Sequence, residues 1–177
     1  MSKNFQQLFA GLEDDYNKAS TNDGQGSMGI WPSDPGKYEL LITRMEGPEA
    51  QEISTPSGRK VNCSRTQFFY RLLDPSKDPN CAEEFGGAAF IIPLNFEDMK
   101  DEPRRGPMEA ELARLKQHLK VILGSEGGSL AENLQATDEA LNSEASIVVV
   151  ADLQHRHSKG KTYKTEFLLN QLEADTA

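Results

Sequence analysis

The sequence has few cysteines and no long apolar run. Its two cysteines, Cys63 and Cys81, stand at no metal-ligand spacing and cannot build a framework of several disulfides, which favours a reducing compartment. No segment reaches the roughly 18 consecutive apolar residues of a transmembrane helix, and the polar residues after Met1 are unlike a signal peptide. We therefore expect a soluble, cytoplasmic protein with no membrane partner.

Motifs for catalysis and cofactor binding are also missing. Its Gly-Gly pairs lack the Lys-Ser/Thr pattern of a phosphate-binding loop, and no serine elbow or Cys/His nucleophile motif occurs. His155 and His157 would share one face of a strand, but two ligands do not make a metal site. We expect no enzyme, no cofactor and no bound metal.

Cations are outnumbered by carboxylates. The chain has 19 lysines and arginines against 28 aspartates and glutamates, and its formal net charge is -9. An acidic protein can bind a polyanion only through a local patch from which its own carboxylates are excluded. Two such windows occur: residues 53–73 contain no Asp or Glu, and none lies between Asp152 and Glu166.

Composition divides the chain into three parts. Residues 1–29 comprise an amphipathic helix and a linker rich in Gly, Ser, Asn and Asp. Residues 30–171 form the folded domain, and residues 172–177 form a short acidic tail. The helix either docks on the domain or waits for a partner; its apolar positions are Phe5, Leu8, Phe9, Leu12 and Tyr16.

The folded domain shows five strand patterns and one clear helix. Strands are predicted over residues 37–45, with pairing resuming near residue 53, and over residues 61–73, 88–94, 147–150 and 162–169. The helix begins at Gly106-Pro107 and is ended by Gly124, and a shorter helix is predicted over residues 138–141. This order is that of a mainly β, five-stranded OB-fold barrel with a helix between strands 3 and 4. The alternative is an open α+β sheet with the helix across one face.

The two acid-free windows fall where an OB barrel holds its ligand, on strand 2 and on the loops that join strands 1 to 2 and 4 to 5. Single-stranded nucleic acid needs cations along its phosphates and aromatic faces for its bases, each stacked base being worth about 1 to 3 kcal/mol. The predicted stacking residues are Phe69 and Tyr163, with Trp31 as a further candidate. The predicted phosphate contacts are Arg59, Lys60, Arg65, Arg71, Arg156, Lys159, Lys161 and Lys164.

Each of these assignments has a structural alternative. An aromatic side chain in a strand commonly belongs to the core, and a basic hairpin tip can serve only to keep a sheet edge soluble. Alternation along the strands assigns Phe68, Tyr70, Phe90 and Phe167 to the core.

The layout resembles the small OB-fold single-stranded-DNA-binding proteins of tailed-phage replication and recombination modules. The shared features are the polar N-terminal segment, the Pro35-Gly36-Lys37-Tyr38 start of strand 1, the Ser57-Gly58-Arg59-Lys60 turn, the Leu123-Gly124 helix end and the hairpin of residues 159–163. The resemblance implies a non-catalytic protein that coats single strands with little sequence preference in a bacterial host cell. It also implies recruitment of replication or recombination proteins through an acidic tail, although the tail here is short and lacks a terminal aromatic residue.

Two other function classes stay open. A protein-protein interaction adaptor of a phage or mobile-element replication module would use the barrel face or the N-terminal helix to hold another protein. A nuclease would degrade its substrate in a metal-dependent way.

Overall fold

The computed structural model of the protein describes residues 31–32, 34–124 and 128–172. The predicted N-terminal helix and residues 173–177 of the predicted tail lie outside this described part. Two short 3-10 helices span Pro75–Lys77 and Phe96–Met99. The main elements are β1 (Gly36–Ser54), β2 (Lys60–Leu72), β3 (Phe85–Gly86), β4 (Phe90–Pro93), α1 (Arg105–Leu123), α2 (Leu130–Leu141), β5 (Val148–Ser158) and β6 (Lys161–Leu172).

All six strands belong to one antiparallel sheet, so the prediction of a mainly β fold with helices is confirmed. The strand order is β3-β2-β1-β5-β6, and β4 also pairs with β2. The third strand, predicted over residues 88–94, is shorter than expected, because β4 covers only Phe90–Pro93. β3 is a separate short strand just before it. The short helix predicted over residues 138–141 is also wrong in extent, because α2 begins at Leu130.

β1 is the central strand and changes partner along its length. Residues 36–41 pair with β5, and residues 40–54 pair with β2. The register with β2 shifts twice, after Ile42 and after Glu46, as expected where an extra residue bends one strand of a pair. At the second shift Gly47 has φ 89°, and a Cβ there would lie 2.3 Å from the carbonyl oxygen of Arg65. Only glycine lets the two strands approach this closely.

α1 follows the local signals in its sequence and is confirmed as predicted. It begins at Arg105 and ends at Gly124, whose φ of 74° closes the helix in the left-handed conformation. Leu115, Leu119 and Ile122 on its inner side pack into the main core of the sheet. α1 therefore covers the core side of the sheet.

The aromatic core is mostly the predicted one. Phe68, Tyr70 and Phe90 are fully buried, as expected, whereas Phe167 is only half-buried. Trp31 is 2% exposed, and its indole Nε1 donates a hydrogen bond to the carbonyl oxygen of Gly86 at 2.7 Å. Trp31 is thus a core residue, and the interpretation of its ring as an exposed stacking surface is wrong.

The two edges of the sheet are bridged by side chains. Within the described residues no strand pairing joins β6 to β4, and the sheet is open there. Glu166 of β6 accepts a hydrogen bond at Oε1 from the backbone N–H of Ala88 at 2.8 Å. Arg114 of α1 donates from Nη1 to the carbonyl oxygen of Glu166 at 2.8 Å and from Nη2 to that of Ala88 at 3.1 Å. The Arg114 side chain therefore joins the two sheet edges by hydrogen bonds where no backbone pairing joins them.

Glu166 is buried but ionised. Burial alone would raise its pKa, but three neighbours bring the pKa down to about 2. They are the guanidinium of Arg114, whose Nη1 lies 3.0 Å from Oε1, the imidazole of His118, whose Nε2 lies 3.6 Å from Oε2, and the hydroxyl of Tyr70, which donates to Oε2 at 2.8 Å. Gly87 makes room for this carboxylate, because a Cβ there would lie 1.7 Å from Oε2. We call Glu166, Arg114 and Tyr70 the Glu166 cluster.

Candidate nucleic-acid interface

A two-stranded basic arm extends from one end of the sheet. The register between β1 and β5 ends at the pair Gly36 and Leu153, and beyond it residues 154–158 pair with β6 alone among the described residues. The turn has two residues, Lys159 with φ 51° and Gly160 with φ 76°, which is the geometry that fits the twist of a tight hairpin. We call residues 154–165 the arm.

The arm carries four of the predicted cations and no carboxylate. Arg156 and Lys159 are exposed, while Lys161 and Lys164 are half-buried. No Asp or Glu occurs in residues 153–165. The β1–β5 pairing stops short of the arm, although the Asp34 carboxylate, just before β1, is close enough to His155 to raise its pKa in part.

One aromatic ring accompanies the cations. Arg156 and Tyr163 are direct partners across the arm, and the Cζ of Arg156 lies 5.3 Å from the centre of the half-buried Tyr163 ring. A cation held over a ring in this way places a phosphate contact beside a surface on which a base can stack.

The arm has two unlike faces. Arg156 and Tyr163 lie on the face that continues the outer side of the sheet, which is the side opposite the main core. Lys164 and its cross-strand partner His155 lie on the core side. Partial burial, with the nearby charge of Lys164, lowers the pKa of His155, so His155 is neutral at pH 7. The cations of the arm therefore surround it instead of forming a single stripe.

The turn between β1 and β2 places Arg59 and Lys60 in contacts within the protein. Arg59 Nη1 donates to the carbonyl oxygens of Asp98 and Lys100 at 2.9 and 3.0 Å. The Nζ of Lys60 lies 3.5 Å from Oε1 of Glu52. A phosphate would have to compete with these contacts.

Glu102 makes the same turn more acidic than its sequence indicates. Its Oε1 accepts hydrogen bonds from the hydroxyls of Ser57 and Thr55 and lies 3.8 Å from Nε of Arg59. The Ser57 hydrogen bond is the main reason why the pKa of Glu102 is lowered, with Thr55 and Arg59 contributing. The carboxylate is therefore ionised, and it offsets the charge of Arg59.

The acid-free window on β2 is compensated across the sheet. In the register with β1, Glu49 stands opposite Arg65, Glu46 opposite Gln67, and Glu52 opposite Asn62. Directly opposed residues on paired strands have close side chains. The predicted positive surface on β2 is therefore a mixed one, of which Arg71 is the exposed cation and Arg65 is half-buried and donates to Gln67 at 2.7 Å.

Phe69 is on the predicted face of β2 but its ring is covered. It is 8% exposed, and the guanidinium carbon of Arg44, its cross-strand partner on β1, lies 3.6 Å from the ring centre. The expectation of a freely exposed stacking ring is therefore wrong, although the direction of the side chain is as predicted. Arg44 is the residue that the sequence analysis missed.

Four of the predicted residues, two on β2 and two on the arm, share the outer face of the sheet. Alternation along the paired strands places Phe69 and Arg71 of β2 on the outer face, together with Arg156 and Tyr163 of the arm. The two turns lie beyond opposite ends of β1, the Arg59 turn after Ser54 and the arm before Gly36. Between the groups the outer face also carries carboxylates, Glu39 on β1 and Asp152 on β5.

Comparison with protein families and curated proteins assigns the chain to no known family. The chain matches no protein-family model and no curated protein. No helix in the described part of the chain is long and apolar enough to cross a membrane. Nor do its described residues include a group of three or more His, Cys, Asp or Glu side chains placed to hold a metal ion.

Proposed function

We propose that the protein is a non-catalytic single-stranded-DNA-binding protein with little sequence preference, acting in phage DNA replication and recombination. The arm is the observation that carries this proposal. It combines four cations, a tyrosine beside Arg156 and a complete lack of carboxylates in a chain whose net charge is -9. Such segregation is expected where a polyanion must approach an acidic protein.

We further propose that the sheet is a five-stranded OB-type barrel in which β3 and β4 count as one interrupted strand. In support, β1 pairs with both β2 and β5, α1 lies between the third and fourth strands, and the Glu166 cluster bridges the two sheet edges. The OB barrel is a partly open one, so an incomplete ladder at this position is compatible with the proposal.

Chemistry favours a single strand over a duplex as the ligand. Lysine and arginine bind phosphates without reading sequence. Tyr163 can add stacking energy only to a base whose face is free, and a base inside a duplex already stacks on its neighbours. The pairing of Arg156 with Tyr163 therefore predicts a preference for unpaired bases.

A salt titration tests the function. Binding of a labelled oligo(dT) strand, followed by fluorescence anisotropy, should weaken as salt rises, with a log-log slope of roughly -3.5 if about five phosphates are neutralised at about -0.7 each. Duplex DNA of the same length should bind more weakly. Affinity that does not depend on salt, or equal affinity for the duplex, contradicts the proposal.

Charge reversal on the arm tests the site. Changing Arg156, Lys159 and Lys161 together to Glu should weaken binding by at least about tenfold, because several phosphate contacts are replaced by repulsion. The melting temperature should change little, since Arg156 and Lys159 are exposed and Lys161 is only half-buried.

A matched variant controls for the change in net charge. Lys77, Lys100 and Lys116 are exposed and lie off the arm, and changing all three to Glu alters the net charge by the same amount. This control should affect binding much less. If both triple variants weaken binding equally, only total charge matters and the arm is not the site; if the arm variant unfolds, its residues are structural.

A further inference from the structure

We propose that Arg44 is a displaceable cover over a nucleobase site on Phe69. In this proposal a base of the bound strand takes the place of the guanidinium on the ring, and Arg44 turns to the phosphate beside that base. The inference rests on the proposed function and deepens it, because it names a residue that controls one part of the same surface.

Two carboxylates hold the cover in place. Glu84 Oε1 lies 3.1 Å from Nε and 3.0 Å from Nη2 of Arg44, and Glu46 pairs with its Nη1. Glu84 is itself fixed by Thr43, whose hydroxyl donates to Oε2 at 2.7 Å. The guanidinium therefore lies over the Phe69 ring at 3.6 Å, held from two different segments of the chain.

Solvent exposure makes this cover reversible. The side chain of Arg44 is 46% exposed, and those of Glu46 and Glu84 are 45% and 39% exposed. Ion pairs at such exposure are weak and are screened further by salt. By contrast, the Phe69 ring is buried on its strand, so the guanidinium can leave while the ring stays.

Gly86 lies beside the ring and adds no side chain of its own there. Gly86 pairs directly with Phe69, and a Cβ there would lie 3.2 Å from the ring carbon Cε1 and 2.6 Å from Nε2 of Gln67. Any larger residue would crowd this side of the ring. Because residue 86 is glycine, it adds no side chain next to the face of the ring on which the guanidinium, or a base, lies flat.

When a base replaces the guanidinium, both the stacking on Phe69 and the hydrogen bonding of Arg44 can be kept. A guanidinium and a nucleobase are both planar and both stack on an aromatic face. Once displaced, Arg44 can exchange its carboxylate partners for a phosphate, which can likewise accept two parallel hydrogen bonds from a guanidinium. Arg71, two residues from Phe69 on the same face of β2, is placed for the next phosphate.

Comparison of two DNA probes isolates the base. Oligo(dT) and an abasic oligomer of the same length carry the same phosphates, so at a salt concentration that screens the Arg44–phosphate contact the ratio of their dissociation constants measures what the bases contribute. Arg44→Ala removes the cover and should raise this preference for oligo(dT) by about twofold to fivefold, the range expected for an exposed cation-π contact. It should also make the salt slope shallower by about 0.7, because one phosphate contact is lost.

Three further variants keep the test independent of folding defects. Glu84→Gln loosens the cover but keeps Arg44, so it should raise the preference with an unchanged salt slope. Phe69→Leu should lower the preference to the part that Tyr163 supplies, and adding Arg44→Ala to it should cause no further change. Arg105→Ala removes another exposed, ion-paired arginine, 3.0 Å from Glu109 on α1, and should change neither quantity.

The possible failures can be told apart. If wild-type protein binds single strands in a salt-dependent way but Arg44→Ala leaves the preference unchanged, the cover is wrong and the proposed function stands. A preference that falls in Arg44→Ala shows that Arg44 itself holds the base, which also overturns the cover. Absence of salt-dependent binding by the wild type overturns the proposed function and this inference together.

Discussion

Arg114→Met is the substitution that tests most directly how the sheet edges are held together. Methionine keeps the aliphatic part of the arginine side chain, ends about where Nε stands, and removes the charge and the donors. The variant loses the hydrogen bonds from Arg114 to the carbonyl oxygens of Glu166 and Ala88, and it leaves the Glu166 carboxylate buried beside Tyr70 without its cation.

The expected cost follows from burial. The side chains of Arg114 and Glu166 are 3% and 0% exposed, and their Nη1 and Oε1 atoms are 3.0 Å apart. Removing one partner from a buried pair costs about 3 to 5 kcal/mol, because the remaining charge has no compensation. That loss is a large part of the 5 to 15 kcal/mol by which a typical domain is stable.

Urea denaturation at pH 7 measures the effect, and α1 supplies a matched control. Arg105 pairs with Glu109 at the same distance of 3.0 Å, but its side chain is 38% exposed. Arg105→Met should therefore cost less than about 1 kcal/mol. If Arg114→Met lowers the unfolding free energy no more than Arg105→Met does, the Glu166 cluster does not hold the edges and the argument fails.

Lowering the pH should narrow the difference in unfolding free energy between Arg114→Met and the wild type. The pKa of Glu166 is about 2 in the folded protein, against 4.5 for a glutamate in the unfolded chain. The wild type therefore loses about 3 kcal/mol of unfolding free energy from this group as pH falls from about 4.5 to about 2. In Arg114→Met, burial without the guanidinium raises the pKa of Glu166, and that acid-dependent loss disappears. A gap between the two proteins that stays constant down to pH 2 would refute this reading.

Two other sites give sharp predictions on stability. Gly87→Ala would place a Cβ 1.7 Å from Glu166 Oε2 and should lower the unfolding free energy by at least about 2 kcal/mol. The control Gly106→Ala, with no atom within 4 Å of the new Cβ, should be neutral. Equal urea midpoints for the two variants would show that the Glu166 carboxylate moves aside freely. Ser129→Ala removes the reciprocal cap between Ser129 and Glu132 at the start of α2 and should cost about 1 kcal/mol. Ser129→Asp should recover most of that loss in the same urea assay, and a neutral Ser129→Ala would contradict the capping role.

Elements with local signals could be predicted from the sequence. Pro107 near the first turn and Gly124 after the last residue mark both ends of α1, because each fits a backbone conformation found at that place. The start of α2 also had a signal, Ser129 followed three residues later by Glu132, and this pair was overlooked. The helix was therefore predicted about two turns too short.

The charge pattern of β2 could not be interpreted correctly without its partner strand. The window of residues 53–73 is free of acids in sequence, but Glu46 and Glu49 of β1 stand opposite Gln67 and Arg65. Two register shifts lie between Ile42 and Glu49, and a shift of one residue moves a side chain to the other face. Cross-strand compensation, and the cover that Arg44 forms, therefore depend on a register that the sequence does not state.

The Glu166 cluster illustrates the same difficulty in the core. Alternation with Leu168 does place Glu166 on the core side of β6, and a charged residue at such a position requires a buried partner. Its partner, however, is 52 residues earlier in the chain, on a helix. The need for a cation could be predicted from β6 alone, but its identity could not.

The length of the basic arm determines how strongly the acidic remainder of the protein acts on a ligand at its tip. Each strand residue advances about 3.3 Å, so residues 154–158 extend roughly 16 Å past the last pair with β1. The Debye length at physiological ionic strength is about 8 Å, so the tip at Lys159 lies about two screening lengths beyond that end of the sheet. The repulsion that a net charge of -9 exerts on a phosphate chain is largely screened there, while the cations of the arm act at contact distance. An arm of this length therefore meets a requirement of the proposed function, that an acidic protein bind a polyanion without a change in the charge of its main body.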